Sequence, residues 1–140
     1  MESTTQVCKV AILVADGFEQ VQLACPRKSL RENGATVHII SPNKDLVKGW
    51  DQVEWGRSRN VDVPLQLARA EYYDALILPG GVLSVDTLRA EPQVASFIHG
   101  FFETQKTIAT IGHGLQLLID TDLLSGCQVT SVATIKSDLI

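Results

Sequence analysis

Thr107-Ile108-Ala109-Thr110-Ile111-Gly112-His113-Gly114-Leu115-Gln116-Leu117-Leu118 is the stretch on which the reading of this chain turns. A β-type apolar run stops at a Gly-His-Gly corner, and an apolar helical pattern begins almost at once, which reads as a strand, a sharp turn and a helix. In open α/β sheets such corners lie at the carboxyl ends of strands, where ligands bind. The helix start adds unpaired backbone N–H groups and a positive dipole end. The corner is therefore a candidate site. A nucleophile elbow places Ser or Cys at a strained turn residue, with the following backbone N–H helping to hold an oxyanion. Here that place holds Gly112, which takes φ > 0 without a Cβ penalty, so the turn is kept while the reactive side chain is gone.

Working outward, residues 7–14 form a nearly continuous apolar run broken by Lys9, as expected of a parallel strand buried on both faces. Residues 18–33 follow as a helix with Val21, Ala24 and Cys25 on one side, Pro26 inside it and Gly34 as its stop. Residues 36–41 read as a second strand. Residues 42–73 are less regular, with β-like pieces at Leu46-Val47 and Val61-Asp62-Val63, a helix expected over 64–70, and Trp50 and Trp55 assigned mainly to packing. Asp74 to Pro79 is a buried strand ending at Gly80-Gly81. Val94, Phe97, Ile98 and Phe101 then recur at helical spacing after Pro92. Leu115, Leu118 and Ile119 extend a buried helix after the corner. A strand is expected over 128–132, and a helix start, capped by Thr134, over 134–140. Strands alternating with helices give an α/β domain with a parallel sheet and right-handed crossovers.

A chain of 140 residues, 45% hydrophobic and 20% charged, suits one domain, residues 1–140, with a single core. A formal charge of −4 with scattered Lys and Arg speaks against nucleic acid or an anionic membrane as partner. No apolar run approaches the ~20 residues of a membrane span, and residues 1–6 are polar, so the expectation is a cytoplasmic protein. Three cysteines, Cys8, Cys25 and Cys127, without metal-type spacing read as reduced thiols at mostly structural positions. No metal or cofactor is expected.

Four pieces, Ala15-Asp16-Gly17-Phe18-Glu19, Leu78-Pro79-Gly80-Gly81, Asp86-Thr87-Leu88-Arg89 and Ile111-Gly112-His113-Gly114, resemble in order and spacing the PfpI family. This is the intracellular-protease-like and deglycase group of the class I glutamine amidotransferase-like superfamily. Val47-Lys48-Gly49-Trp50 and Lys136-Ser137-Asp138-Leu139 extend the likeness over nearly the whole chain. The resemblance implies a flavodoxin-like three-layer sandwich with a mainly parallel sheet. It also implies roles: Glu19 as the glutamate that hydrogen-bonds a catalytic thiol, the Gly81 N–H as an oxyanion donor, and His113 as the histidine after the elbow. Asp86 would be the acid that a neighbouring subunit supplies to orient that histidine, and a homo-oligomer, at least a dimer, follows.

The departures are Gly112 in place of the elbow cysteine, Leu115 in place of a proline, and Val132-Ala133 in place of an aromatic-proline or similar pair. Relative to the family the chain also reads as lacking its last elements. Without a thiolate no thioester or thiohemiacetal forms at Gly112. Two expectations stand: a non-catalytic stress or binding module keeping an anion pocket at Gly81, Gly112 and His113, or a hydrolase, deglycase or glyoxalase-like enzyme on small carbonyl adducts that acts only in a cysteine-containing form. Beside these roles stand plainer ones, with Glu19 and Asp86 serving helix N-termini and His113 a turn.

Overall fold

A computed structural model describes residues 7–129 and 133–139. The long apolar run forms β1 (Lys9–Leu13), and two residues of the next corner form the short β2 (Phe18–Glu19). Then come α1 (Gln20–Glu32), β3 (Thr36–Ser41), β4 (Leu46–Asp51), β5 (Glu54–Asn60), β6 (Val63–Pro64), β7 (Ala75–Leu78), α2 (Val82–Arg89), α3 (Pro92–Glu103), β8 (Thr107–Thr110) and the one-turn α4 (Gln116–Ile119). β6, β3, β1, β7 and β8 make one sheet in that order, and every pair in it is parallel. Reading outward from β1, the chain goes first to β3 and then to the other side, to β7 and β8. That reversal is the flavodoxin-like arrangement, with its crevice at the carboxyl ends of β1 and β7.

The strand period of two explains why β1 reads as continuously apolar. Ala11, Leu13 and Ala15 pack with Leu76 and Leu78 under α2, α3 and α4, where Val85, Leu88, Val94, Phe97, Ile98, Phe101, Leu115 and Leu118 are buried. Val10, Ile12 and Val14 go to the opposite face with Leu23 of α1, Val37, Ile39 and Val47. Two faces, each covered, demand apolar residues at every position. The amphipathic helix expected after Pro92 is α3, and all four of its periodic residues are buried.

Several expectations are corrected. The helix over 64–70 is instead two 3₁₀ turns, Leu65–Leu67 and Ala70–Tyr72, separated by extended Ala68 and Arg69. Leu65 and Ala70 are both buried, but five residues on one helix would set them about 140° apart, so the backbone breaks to bring both inward. On α1 the buried residue is Leu23, while Val21 is 60% exposed and Cys25 faces water. All three cysteines are free and exposed, so they are not structural core thiols. The helix after the Gly-His-Gly corner starts as a 3₁₀ turn, Gly112–Leu115, before α4, and a further 3₁₀ turn spans Ala133–Leu139. Of the strand expected over 128–132, Gln128 and Val129 have no regular structure and residues 130–132 lie outside the described residues, as do residues 1–6 and Ile140.

Tyr73 links β7 to β3. Its buried hydroxyl lies 2.9 Å from Nδ1 of His38. Burial, with a smaller contribution from the charge of Asp62, pushes the phenol up to about 12. The unfolded chain releases this proton near pH ~10 while the folded chain keeps it. The stability held below that pH is therefore lost as pH rises toward the folded value. Urea unfolding across that window should show this fall, and Tyr73→Phe should remove most of it.

Candidate functional site

Three glycine corners meet at the carboxyl ends of β1, β7 and β8. After β1, the chain turns at Gly17 with φ +87°. Its N–H donates to the Lys48 carbonyl at 2.8 Å, and Asp16 Oδ1 accepts from the Lys48 N–H at 2.8 Å and from Asn43 Nδ2 at 3.0 Å. The corner is thus tied to β4, and Phe18 and Glu19 pair in parallel with Gly49 and Trp50. This explains why the expected helix starts late: residues 18–19 are used as strand, and α1 begins at Gln20.

After β7, Gly81 has φ +104° and forms the N-cap of α2. A Cβ built on Gly81 would run into the carbonyl oxygen of Gly17 and lie 2.9 Å from the Glu19 nitrogen. The two corners touch backbone to backbone. The Glu19 N–H donates to the Gly80 carbonyl at 3.1 Å, and Ser84 of α2, fully buried, accepts the Ala15 N–H at 2.9 Å.

After β8, Gly112 has φ +55°, the left-handed turn expected of an elbow. A Cβ at Gly114 would meet the Leu78 carbonyl, so the elbow is pressed directly onto β7. The His113 nitrogen lies 3.0 Å from the point a Cβ on Gly80 would occupy. The backbones of Gly80, Gly81, Gly112 and His113 therefore share one neighbourhood with Glu19.

Where a nucleophile side chain would stand, the structure places Gln22. A Cβ on Gly112 would be 3.3 Å from Gln22 Nε2, and Gln22 Oε1 accepts the Gly80 N–H at 2.6 Å. The carboxamide spans from one corner to the other. Gln22 has no role in the sequence reading; it sits in the first turn of α1, three residues after the extended N-cap Glu19.

Glu19 and Gly81 line a cleft of about 310 Å³ with Gly17, Trp50, Trp55, Val82 and Leu83. The tryptophans stand edge to face, centroids 5.4 Å apart at 85°. An irregularity in the β4–β5 register between Lys48 and Trp50 brings Trp50 opposite Trp55. Lys48 Nζ lies 5.4 Å from the Trp55 ring centroid. The tryptophans are thus a packing pair, as expected, and also line the cleft. Val82 and Leu83 form the facing wall and remain 60% and 53% exposed.

His113 is half-buried, with Nε2 3.4 Å from Thr134 Oγ1 in the Ala133–Leu139 turn. Asp86 is exposed on α2, inside the helix rather than at its start. It stands near Arg89, whose guanidinium pairs with Asp120 at 2.8 and 3.0 Å. Within one chain, then, Glu19, Gly81, Gly112 and the His113 backbone come together, and Asp86 does not join the residues lining the cleft. Among the described residues, no cluster of three His, Cys, Asp or Glu side chains is arranged to hold a metal ion, and no helix is long and apolar enough to cross a membrane.

Known proteins resemble this chain over most of its length. YraA of Bacillus subtilis, provisionally named a cysteine protease, is 38% identical over 133 residues, covering 94% of this chain and 76% of its own length. The deglycase TK1284 of Thermococcus kodakarensis is 34% identical over 131 residues, with coverages of 94% and 76%. A solved two-domain protein of Anabaena variabilis, containing DJ-1/ThiJ/PfpI-like and ferritin-like domains, superposes with a TM-score of 0.86 at 30% identity. That alignment covers 94% of this chain and 37% of that one. A sequence model of the DJ-1/PfpI family matches residues 8–140, spanning all three glycine corners, and the chain belongs to that family.

Proposed function

We propose that this protein is a non-catalytic member of the family that binds a small carbonyl-bearing or anionic ligand without forming a covalent adduct. The observation that carries the reading is Gly112. The turn keeps the positive φ of an elbow, the position bears no nucleophile, and the Gln22 carboxamide lies against it. The ligand would enter between Trp50, Trp55, Val82 and Leu83. Its oxygen would take backbone N–H groups of Gly81 and His113, and Glu19 would accept from a hydroxyl or hydrated carbonyl. The deglycase names of relatives support small carbonyl adducts as the ligand class.

The chemistry stops at binding because an acyl or hemithioacetal intermediate needs a thiolate, and neither glycine nor a carboxamide offers a comparable nucleophile. Methylglyoxal incubated with the full chain should be consumed at the buffer rate, while titration should still quench tryptophan fluorescence. Turnover well above the buffer rate would overturn the non-catalytic reading.

The assembly is part of the same proposal. Val82, Leu83 and Asp86 project from the exposed side of α2 beside Trp55 of the hairpin, an apolar rim with an acid at its edge. A second copy covering this rim would bring its own Asp86 toward the first copy's cleft, the role the family resemblance gives that position. Light scattering should give at least a dimer, and Leu83→Glu should shift it toward monomer. A wild-type monomer at high concentration would remove both the interface and the role of Asp86.

A further inference from the structure

β5 is the edge strand of the small β2–β4–β5 sheet, and most of it faces water. Arg59 does not. It stands opposite Val47 in the antiparallel register, so both side chains leave the sheet on one face. Val47 is fully buried in the cluster that holds Leu23 of α1. Arg59 is thereby drawn beneath the hairpin, where Arg27 rises from α1 about two helical turns after Gln20. Arg27, Arg59, Ile39, Ser58, Asn60 and Asp62 line a crevice of about 280 Å³, sharing no residue with the tryptophan cleft.

The crevice is electrically unfinished. The Nε atoms of both arginines are buried, and among the described residues neither has a hydrogen-bond acceptor. Asp62 is partly committed elsewhere, its Oδ2 accepting the Ile39 N–H at 2.7 Å. The Arg27 guanidinium is held below its ordinary range, first by burial and then by the charges of Arg31 and Arg59, with Asp62 offsetting part of this. In a chain of net charge −4, such a concentration of cations calls for an anion.

We propose that this crevice is a second ligand site, for a small phosphate monoester held by the guanidinium groups of Arg27 and Arg59. Guanidinium groups match phosphate geometry, and two of them bridge a dianion. The volume exceeds what phosphate alone fills, and Ser58 and Asn60 at the mouth offer hydroxyl and amide groups to an attached polyol. An inward-pointing charge on an edge strand also discourages strand pairing between molecules. That use accounts for Arg59 and leaves Arg27 unexplained.

Calorimetric titration of the full chain at constant ionic strength tests the site with four probes: glucose 6-phosphate, glucose, inorganic phosphate, and phosphatidic acid vesicles. Glucose 6-phosphate should bind tighter than inorganic phosphate, and glucose should not bind. Arg59→Lys and Arg27→Gln should each weaken glucose 6-phosphate binding at least tenfold, whereas Arg57→Gln on the same strand should leave it unchanged. Asn60→Ala, at an exposed position, tests the mouth should either arginine variant fail to fold, and should weaken glucose 6-phosphate more than inorganic phosphate. Absence of binding, equal binding by all variants, or binding to vesicles alone would overturn the proposal.

Discussion

Gly112→Cys is expected to create a thiol that iodoacetamide alkylates about tenfold faster than Cys8, Cys25 or Cys127 at mildly acidic pH, where an unperturbed thiol is almost wholly protonated. All three native cysteines are exposed, so they set the rate expected of an accessible thiol. The gain is limited because the corner leads into a short 3₁₀ turn and a single α-turn, and a short run of aligned peptides has a weak dipole. Two costs oppose the change. A non-glycine residue at φ +55° stores roughly 1–2 kcal/mol. The new Cβ would also sit 3.3 Å from Gln22 Nε2, so the carboxamide must yield a few tenths of an ångström. Thermal unfolding should therefore show a modest loss. The double variant with Gln22→Ala should react faster still, since it opens the space beside sulfur, at the expense of the hydrogen bond to Gly80. A new thiol no more reactive than the native three would mean that the groups around position 112 do not activate a thiol there.

Gly81→Ala should be far more damaging. The residue has φ +104° and its Cβ would collide with the Gly17 carbonyl and Phe18 Cα, both backbone atoms that no rotamer change can move. Strain and overpacking together should destabilise the fold by roughly 3–5 kcal/mol, a large share of a typical domain's stability. Chemical denaturation gives this directly. Gly34→Ala is the matched control, because it too has positive φ, at +87°, but opens onto empty space. If both variants lose the same stability, the close approach of the two corners contributes nothing beyond backbone strain.

Long-range order was legible where burial is two-sided or strictly periodic. β1, β3, β7 and α3 follow from apolar runs and helical spacing because the core dictates every position in them. The β4–β5 hairpin was not legible. Its turn is Gln52-Val53, with Gln52 at φ +57°, in place of the Asn-Gly type that marks such turns. Its second strand, Glu-Trp-Gly-Arg-Ser-Arg-Asn, reads as a polar loop because one face meets water and the other meets Gln20 and Arg27 of α1. The glycine corners were readable as backbone requirements, while Gln22 was hidden because a polar residue on a helix announces nothing until its partner backbone is known. The tryptophans were hidden for a related reason, since their pairing depends on a register irregularity that composition does not encode.

The floor of the cleft is made from main chain, Gly17 against Gly81, whereas one wall is made from side chains on a hairpin outside the main sheet. These two parts answer to mutation differently. A floor of touching peptides admits almost no substitution, since a Cβ on Gly81 would meet backbone atoms of Gly17 and Phe18. The hairpin answers to no such constraint at its outer residues, and an exchange at position 50 or 55 changes what fits above the floor while the frame beneath stays as it was. What the cleft admits is thus set by the hairpin, on a frame of backbone contacts that a change in the hairpin leaves in place.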